Sequence, residues 1–285
     1  MEKLILVPID NSDISTDVVL VADQMAQSIK AEIDFLHVAR NKKQVVNSRE
    51  LLEKFLAAKK IQAPYHALVK TGKSYAEIVT HARETKPDMV MMGAHAHSLL
   101  GRLLLGSNTD YVLHHSTCPV YIHRKTDKVP ENRIIIPIDY QHVNMRVIEM
   151  ANEWAKRDGS ELVFLHVDES PEYPGDFYAM ETGFYHNGDE AVVEDEDEST
   201  RRKDYAVLQK RLEDYVHEAK ISSTFRAEIK FGTPYLKILE LQKEMHAKLI
   251  MLAAHSQNFA ERLLMGGNTD YVVHHATCSV IVYRN

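Results

Sequence analysis

The chain has 285 residues, of which 45% are hydrophobic and 26% are charged, so it can form one large domain or two ordinary ones with buried cores. No apolar run approaches the ~20 residues that a membrane span needs, and the opening segment is too short and too acidic for a secretory leader, so we expect a cytoplasmic protein without a membrane span. The formal charge of −7 argues against a nucleic-acid partner, and ten acids fall within residues 171–198, which contain no Lys or Arg.

Strands and helices alternate along the first part of the chain. Short runs rich in Ile, Leu and Val predict strands over residues 3–9, 31–38, 65–70, 88–92 and 119–123. Amphipathic stretches predict helices that end at about residue 30 and that span about 43–60, 74–85 and 107–115. Because the connections are short, this alternation predicts an α/β fold, a doubly wound parallel sheet with helices on both faces.

The same order of elements recurs in the second part of the chain. Residues 107–122 align with residues 267–282 at an offset of 160, and ten of these sixteen positions are identical. At the start of each copy the offset is 129, where Pro-Ile-Asp and Phe-Leu-His-Val recur. The difference of 31 residues is an insertion after Val167, and the acidic stretch lies there. Two copies of one domain are therefore predicted.

The repeat also predicts the domain boundaries. The first domain spans residues 1–125, a linker spans 126–131, and the second domain spans 132–285 with an acidic insertion at about 171–200. Cys118 and Cys278 are the only two cysteines and occupy equivalent positions in the two copies. We therefore expect both to be buried packing residues and not partners in a disulfide.

Three predicted strands of the first copy end at residues suited to a ligand site. Asp10, Val38 and Gly93 close the first, second and fourth strands, and the carboxyl ends of parallel strands meet at one edge of the sheet. From Gly93 a loop runs to Gly106 and Ser107, where the next helix opens. Glycine lets the backbone approach a phosphate closely, and the free amides of a helix N-terminus attract anions. The sequence therefore predicts a phosphate-binding loop.

The spacing Gly-x2-Gly-x9-Gly-Ser after a strand, with an Asp ending the first strand and Leu-His-Val ending the second, resembles the universal stress protein family. The resemblance covers both copies and leaves out only the linker and the acidic insertion. It implies two flavodoxin-like or Rossmann-like domains in tandem, related by a pseudo-twofold axis, with their last strands paired antiparallel. This intramolecular pair would reproduce a dimer of single-domain members, and association of two whole chains into a homodimer is left open.

The resemblance also implies a ligand and a role. In the nucleotide-binding branch of the family, the Asp and the Val contact the adenine end and the glycine loop holds the phosphates. Carried onto this sequence, the implied nucleotide-binding residues are Asp10, Val38, Gly93, Ala96, Gly106, Ser107 and Asn108. The expected function is a non-enzymatic sensor in stress adaptation that binds ATP or another adenine nucleotide in its first domain.

The second copy departs from the family spacing at several positions. Its loop replaces the two glycines and the serine with Ala253, Ser256 and Gly267. Glu261 stands where the first copy has Gly101, and a carboxylate in this loop repels phosphate. Asp139 and Val167 are therefore expected to line a degenerate pocket, which leaves one working site at most.

A nucleotide-independent scaffold is the competing hypothesis. Ala96 stands where the family has its second glycine, and a Cβ at a position of positive φ costs about 1 kcal/mol, which weakens binding without excluding it. Asp10 and Asp139 could each simply cap the helix that follows, and Gly93 and Gly106 could be turn residues. In that case the acidic insertion would dock a protein partner.

Neither catalysis nor metal binding finds much support in the sequence. The chain lacks the Gly-x4-Gly-Lys phosphate loop and the Gly-x-Ser-x-Gly nucleophile elbow, so at most weak ATP hydrolysis is expected. His95, His97 and His255 are the weak candidates for metal ligands, but neither a Cys nor a carboxylate completes the set at ligand spacing. We therefore predict no metal site, and a metal-binding or lipid-binding activity ranks behind the other hypotheses.

Overall fold

The computed structural model describes residues 3–10, 13–94, 105–126, 129–140, 145–169, 198–254 and 266–284. The chain divides into two compact units, which differ from the two sequence copies. Unit 1 comprises Met1–Glu131 with His246–Asn285, and unit 2 comprises Asn132–Met245. The acidic insertion and the loop that contains Ala96 lie outside the described residues, as do His95, His97 and His255. None of the helices within the described ranges combines the length and the apolar content that a membrane crossing requires.

The predicted alternation of strands and helices is confirmed in both copies. The strands are β1 (Lys3–Pro8), β2 (Ala31–Ala39), β3 (Tyr65–Thr71), β4 (Met89–Gly93), β5 (Val120–His123), β6 (Glu131–Pro137), β7 (Glu161–Asp168), β8 (Phe225–Phe231), β9 (Ala247–Ala254) and β10 (Ser279–Arg284). The helices are α1 (Asp13–Ile29), α2 (Val45–Lys59), α3 (Ser74–Thr85), α4 (Ser107–His115), α5 (Met145–Asp158), α6 (Glu198–Glu218), α7 (Pro234–Glu244) and α8 (Gly267–His275). A 3-10 turn, Lys42–Gln44, precedes α2 and takes the start of the helix predicted over 43–60.

The sheet of unit 1 has the strand order β3-β2-β1-β4-β5-β10-β9. All neighbours in it are parallel except β5 and β10, which run antiparallel with Ile122 opposite Val280. The expected antiparallel pairing of the last strands of the two copies is thus confirmed. The chain moves outward from β1 to β2 and β3, then returns to the other side of β1 with β4. The switch point of the strand order therefore lies between β1 and β4, where open α/β sheets bind ligands.

The described part of unit 2 contains the parallel strands β6, β7 and β8 in that order. The side chains of β7 from Leu162 to Leu165 are fully buried, as expected of a strand covered on both faces. In unit 1 the central strand β1 shows the same burial at Ile5, Leu6 and Val7. Cys118 and Cys278 are buried and free, so the prediction of two packing cysteines without a disulfide is confirmed.

One apolar cluster fixes α3 and α4 on the sheet of unit 1. Its buried members are Leu6, Leu36, Ile78, Val79, Ala82, Val90, Met92, Val112 and Cys118. Val38, Leu68 and Tyr111 are partly buried and pack against it. We call this cluster the α3–α4 core. Because α4 is only nine residues long, packing of its middle against this core also fixes its N-terminus beside the carboxyl ends of the strands.

Candidate functional site

Asp10 lies just beyond the end of β1, where its side chain is exposed to solvent. The backbone before it is still fixed to the sheet, since Ile9 N donates to Leu36 O at 2.9 Å. The Ser15 hydroxyl donates to Asp10 Oδ1 at 2.7 Å, and Asp10 N lies 3.4 Å from Ser15 Oγ. These bonds tie the carboxylate to the first turns of α1, so Asp10 has a helix-anchoring role of the kind that the competing hypothesis assigns to it.

Val38 and its neighbour His37 lie at the end of β2. Val38 is half-buried, with one side against the α3–α4 core. His37 Nδ1 lies 2.9 Å from Ile9 O, and because a carbonyl oxygen can only accept, Nδ1 carries the hydrogen. His166 Nδ1 makes the same bond to Ile138 O at 3.0 Å in unit 2. The recurring Leu-His-Val is thus a device that ties the ends of two neighbouring strands together.

Gly93 and the start of α4 are joined by a residue that the sequence reasoning did not single out. Thr109 is buried, and its hydroxyl donates to Gly93 O at 3.1 Å. This hydrogen bond therefore connects the start of the loop, at Gly93, to the first turn of the helix that follows the loop. The recurrence of Asn-Thr-Asp-Tyr in both copies was the available signal, since Thr269 Oγ1 lies 3.5 Å from Ala253 O in the second copy.

The N-terminus of α4 presents backbone donors that have no acceptor inside the helix. Gly106 is its N-cap, with φ −63° and ψ 145°, and among the described residues no side chain caps the helix. The first intrahelical bond runs from Asp110 N to Gly106 O at 2.9 Å, so the three N–H groups before Asp110 have no acceptor within the helix. Ser107 and Asn108 are exposed at this end. Any L-residue can adopt the Gly106 backbone conformation, so the backbone does not require a glycine there.

The fold brings most of the implied residues to one edge of the sheet. β2, β1 and β4 are adjacent, so Val38, Asp10 and Gly93 follow one another at their carboxyl ends. Thr109 then connects Gly93 to the helix that begins with Ser107. Ala96 lies outside the described residues, so its effect on a ligand stays a prediction.

A histidine lies beside the start of the loop. His123 is opposite Gly93 in the pairing of β4 with β5, and Ala94 N donates to His123 O at 2.9 Å. Burial lowers the pKa of His123 below its usual value, and the charge of Asp17 only partly opposes this effect. A lowered pKa favours the neutral form of the His123 imidazole at physiological pH. Within the described ranges, no group of three or more His, Cys, Asp or Glu side chains is arranged to hold a metal ion.

The equivalent residues of the second copy are divided between the two units. Gly266 caps α8 with nearly the same conformation as Gly106, and a Cβ added there would meet nothing within 4 Å. In unit 2 the ring of Tyr140 packs on His166 with their centroids 4.2 Å apart, and the Arg211 guanidinium lies 4.2 Å over the same ring. Burial raises the pKa of Tyr140 to about 12. A large aromatic side chain thus occupies space beyond the ends of β6 and β7.

Comparison with known proteins yields one family and several relatives. The model described as "Universal stress protein family" matches residues 1–124 and 131–284. Among curated relatives, the universal stress protein MJ0531 of Methanocaldococcus jannaschii is 29% identical over 143 residues, which are 44% of this chain and 84% of that protein. The universal stress protein Rv2005c of Mycobacterium tuberculosis is 28% identical over 205 residues, which are 69% of this chain and 62% of that protein.

Two solved structures cover almost the whole chain. A universal stress protein from Archaeoglobus fulgidus aligns over 99% of this chain and 96% of its own, with a TM-score of 0.64 at 21% identity. A functionally unknown protein from Pseudomonas aeruginosa, PA1789, aligns over 99% of this chain and 92% of its own, with a TM-score of 0.71 at 12% identity. At these identities the likeness extends to the fold alone, and it extends over both copies.

Proposed function

The chain belongs to the universal stress protein family, since the family model matches two stretches that together span nearly its whole length. From this premise we propose that the first copy binds an adenine nucleotide such as ATP. The site would consist of Asp10, Val38, Gly93, Ala96, Gly106, Ser107 and Asn108. In this proposal the protein acts in stress adaptation as a sensor of the nucleotide and not as an enzyme.

The uncapped start of α4 is the observation that carries the proposal. Phosphate oxygens accept hydrogen bonds from free N–H groups at a helix N-terminus, and the helix dipole favours negative charge there. Three such N–H groups precede Asp110, and the exposed hydroxyl of Ser107 lies beside them. Gly106 adds no side chain beside these N–H groups.

The base of the nucleotide would lie toward β1 and β2. Val38 offers a half-buried apolar surface, and the exposed carboxylate of Asp10 offers acceptors to amino groups of the base. The bond from Ser15 fixes the orientation of that carboxylate. In unit 2 the Tyr140 ring packs on His166, the residue before Val167, which supports the proposal that the second copy holds no nucleotide of this kind.

Calorimetric titration of the whole chain with ATP tests the proposal. We expect a micromolar dissociation constant that weakens at least tenfold in Gly106→Glu, because a carboxylate at the start of α4 repels the phosphates and tenfold corresponds to about 1.4 kcal/mol. Gly266→Glu is the matched control, since the added side chain starts in open space at the equivalent place and should leave affinity unchanged. Equal affinity in both variants would remove the site from α4.

A second pair of variants separates ligand contact from helix anchoring at Asp10. Asp10→Ala removes the carboxylate, whereas Ser15→Ala removes only its hydrogen bond. We expect a loss of ATP affinity in Asp10→Ala that is clearly larger than in Ser15→Ala, and equal losses would reduce Asp10 to an anchor. If the folded native chain binds none of ATP, AMP and cyclic dinucleotides, the scaffold hypothesis remains, with the acidic insertion as the docking element.

A further inference from the structure

A groove of about 420 Å³ lies on the surface of unit 2, beside the helix that follows the acidic insertion. Its volume falls within the ~300–1,000 Å³ of ordinary binding pockets. Tyr140, which follows β6, lines the groove from the side of the sheet, and α6 supplies the other lining residues. These are Val207, Lys210, Arg211, Asp214, Tyr215 and Glu218. We call this surface, including Tyr140, the α6 groove.

Two aromatic rings are fixed in the α6 groove. The Tyr140 hydroxyl donates to Leu208 O at 3.4 Å, and the Tyr215 hydroxyl donates to Met145 Sδ at 3.1 Å. The two rings stand nearly perpendicular, with their centroids 6.5 Å apart. Val207 adds an aliphatic side chain that is 66% exposed. The groove therefore presents a preformed aromatic and aliphatic surface to solvent.

The charges of the α6 groove are separated along the helix. Lys210 and Arg211 are exposed, and neither forms an ion pair with any carboxylate that the structure describes. The Arg211 guanidinium instead lies 4.2 Å over the Tyr140 ring. Asp214 and Glu218 follow about one and two turns further along α6. One end of the groove thus attracts carboxylates and the other end repels them.

The first copy lacks the features that distinguish this groove. The left-handed residues Lys60 and Lys220 end the corresponding helices α2 and α6 with φ of 54° and 53°, so the offset of 160 holds along both helices. The offsets of the repeat place Asn11, Asn47, Glu50 and Leu51 at the positions of Tyr140, Val207, Lys210 and Arg211. The ring, the aliphatic side chain and both cations therefore belong to the copy that carries the acidic insertion.

The chain outside the described residues begins and ends beside the α6 groove. Residues 170–197, which we call the acidic segment, connect β7 to α6. The Tyr140 ring packs on His166 of β7, and α6 itself lines the groove, so both ends of the segment are attached next to it. The segment contains nine acids, five aromatic residues and neither Lys nor Arg. A short tether of this kind gives an effective concentration on the order of millimolar.

We propose that the acidic segment docks into the α6 groove of its own chain. Its aromatic side chains pack on Tyr140, Tyr215 and Val207, and its carboxylates lie beside Lys210 and Arg211. Asp214 and Glu218 repel the carboxylates from the other end of the groove and so fix where the acids bind. While the segment is docked, its aromatic side chains are not available to a protein partner.

Carbodiimide crosslinking of the whole chain tests where the acidic segment lies. This reagent joins an amine to a carboxylate that contacts it, and mass spectrometry of a mixture of ¹⁵N-labelled and unlabelled chains separates links within a chain from links between chains. We expect Lys210 to be joined to an acid of residues 170–197 within one chain. Absence of this link would overturn the proposal. Links only between labelled and unlabelled chains would also overturn it, and would assign the groove to a second copy of the protein.

A matched pair of variants tests whether the groove holds the segment. Lys210→Glu with Arg211→Leu gives the groove the residues of the first copy at two exposed positions, so the fold should persist. Chymotrypsin should then cleave the aromatic positions of the acidic segment at least about threefold faster than in the native chain, because both cationic contacts are lost. Glu50→Lys with Leu51→Arg makes the reverse exchange in the first copy and should leave the cleavage rate unchanged.

A free peptide of residues 170–197 supplies the rate for an undocked segment. The native chain should be cleaved more slowly than this peptide at low salt, and high salt should bring the two rates closer because it screens the ion pairs. Equal rates in the native chain and in the peptide at low salt would contradict docking. Equal acceleration in both double variants would show that the effect does not depend on the α6 groove, and would refute the proposal.

Discussion

The two copies fill one equivalent place in their cores with opposite chemistry. Between sheet and covering helix, the first copy has the hydrogen-bonded pair Asp34 and His81, and the second has the apolar pair Val163 and Leu241. All four side chains are buried, and the surrounding strands and helices recur in the same order. The backbone arrangement is therefore compatible with either solution. What differs is the response to protons, because only a charged cluster changes its free energy with pH.

The largest expected effect comes from breaking the polar pair on one side. His81→Leu leaves the Asp34 carboxylate buried with His66 as its remaining imidazole, and removing one partner of a buried pair costs about 3 to 5 kcal/mol. Urea denaturation followed by circular dichroism measures the loss. Fluorescence of Trp154, the only tryptophan, reports α5 in unit 2 during the same titration.

The double variant is the control for this prediction. Adding Asp34→Val to His81→Leu removes both partners and restores the apolar pair of the second copy, so the free energy of unfolding should return to within about 1.5 kcal/mol of the native value or exceed it. The two single changes should therefore be strongly non-additive. A double variant as unstable as His81→Leu would mean that the two cores are not interchangeable, and the comparison between the copies would fail.

The free energy of unfolding should fall differently at acidic pH in the native chain and in the double variant. The pKa of Asp34 is lower folded than unfolded, so its contribution is present above the unfolded value of about 3.9 and is lost as pH falls through the folded value. Acid titration below pH 4 should destabilise the native chain more steeply than the double variant. Burial would raise the pKa of Glu161, but Arg226 and Arg133 hold it below its usual value. This contribution is the same in the native chain and in the double variant, so both lose it in acid.

A smaller contrast is expected at the threonine that closes the loop of each copy. Thr109→Val keeps the shape but removes the 3.1 Å bond to Gly93 O, and the loss of such a buried bond should cost about 1 to 2 kcal/mol. Thr269→Val removes a contact of 3.5 Å at a half-buried position, and the expected cost is below about 1 kcal/mol. Urea denaturation of both variants measures the difference. A larger loss in Thr269→Val would reverse the order in which the two loops are secured.

The outline of the fold was readable from the sequence because it depends on local patterns. Buried runs such as the one through Ile5 and Val7 predict strands, and the constant offset predicts two copies. The pairing of β5 with β10 followed from the family resemblance and not from any periodicity. For the site, the order of strand ends predicted that Asp10, Val38 and Gly93 would share one edge of the sheet, as the strand order confirms.

The contacts of Asp34 with His66 and His81 could not be recognised in the same way. Asp34 follows Glu32 at the alternate position of the same strand, and an acid there is equally compatible with an exposed position. Its partners are 32 and 47 residues away, so their meeting depends on how β3 and α3 pack on β2. Comparison of the copies held a usable signal, since Asp34 and His81 both replace apolar residues, Val163 and Leu241. Two simultaneous polar replacements at positions that are apolar in a repeat indicate contact.

The smallest expected effect concerns a surface feature that the copies share. Lys70 and Glu84 form an ion pair of 3.1 Å in the first copy, and Lys230 and Glu244 form one of 3.2 Å at the equivalent positions of the second. The exposed fractions are 29% and 59% for the first pair and 29% and 56% for the second, so solvent screens both alike.

Lys70→Met and Lys230→Met should each change the free energy of unfolding by no more than about 0.5 kcal/mol, and by the same amount. Urea denaturation at low and high salt measures this, because salt should shrink both effects together. A difference of more than about 1 kcal/mol between the two variants would show that the copies diverge at their surfaces as well as in their interiors.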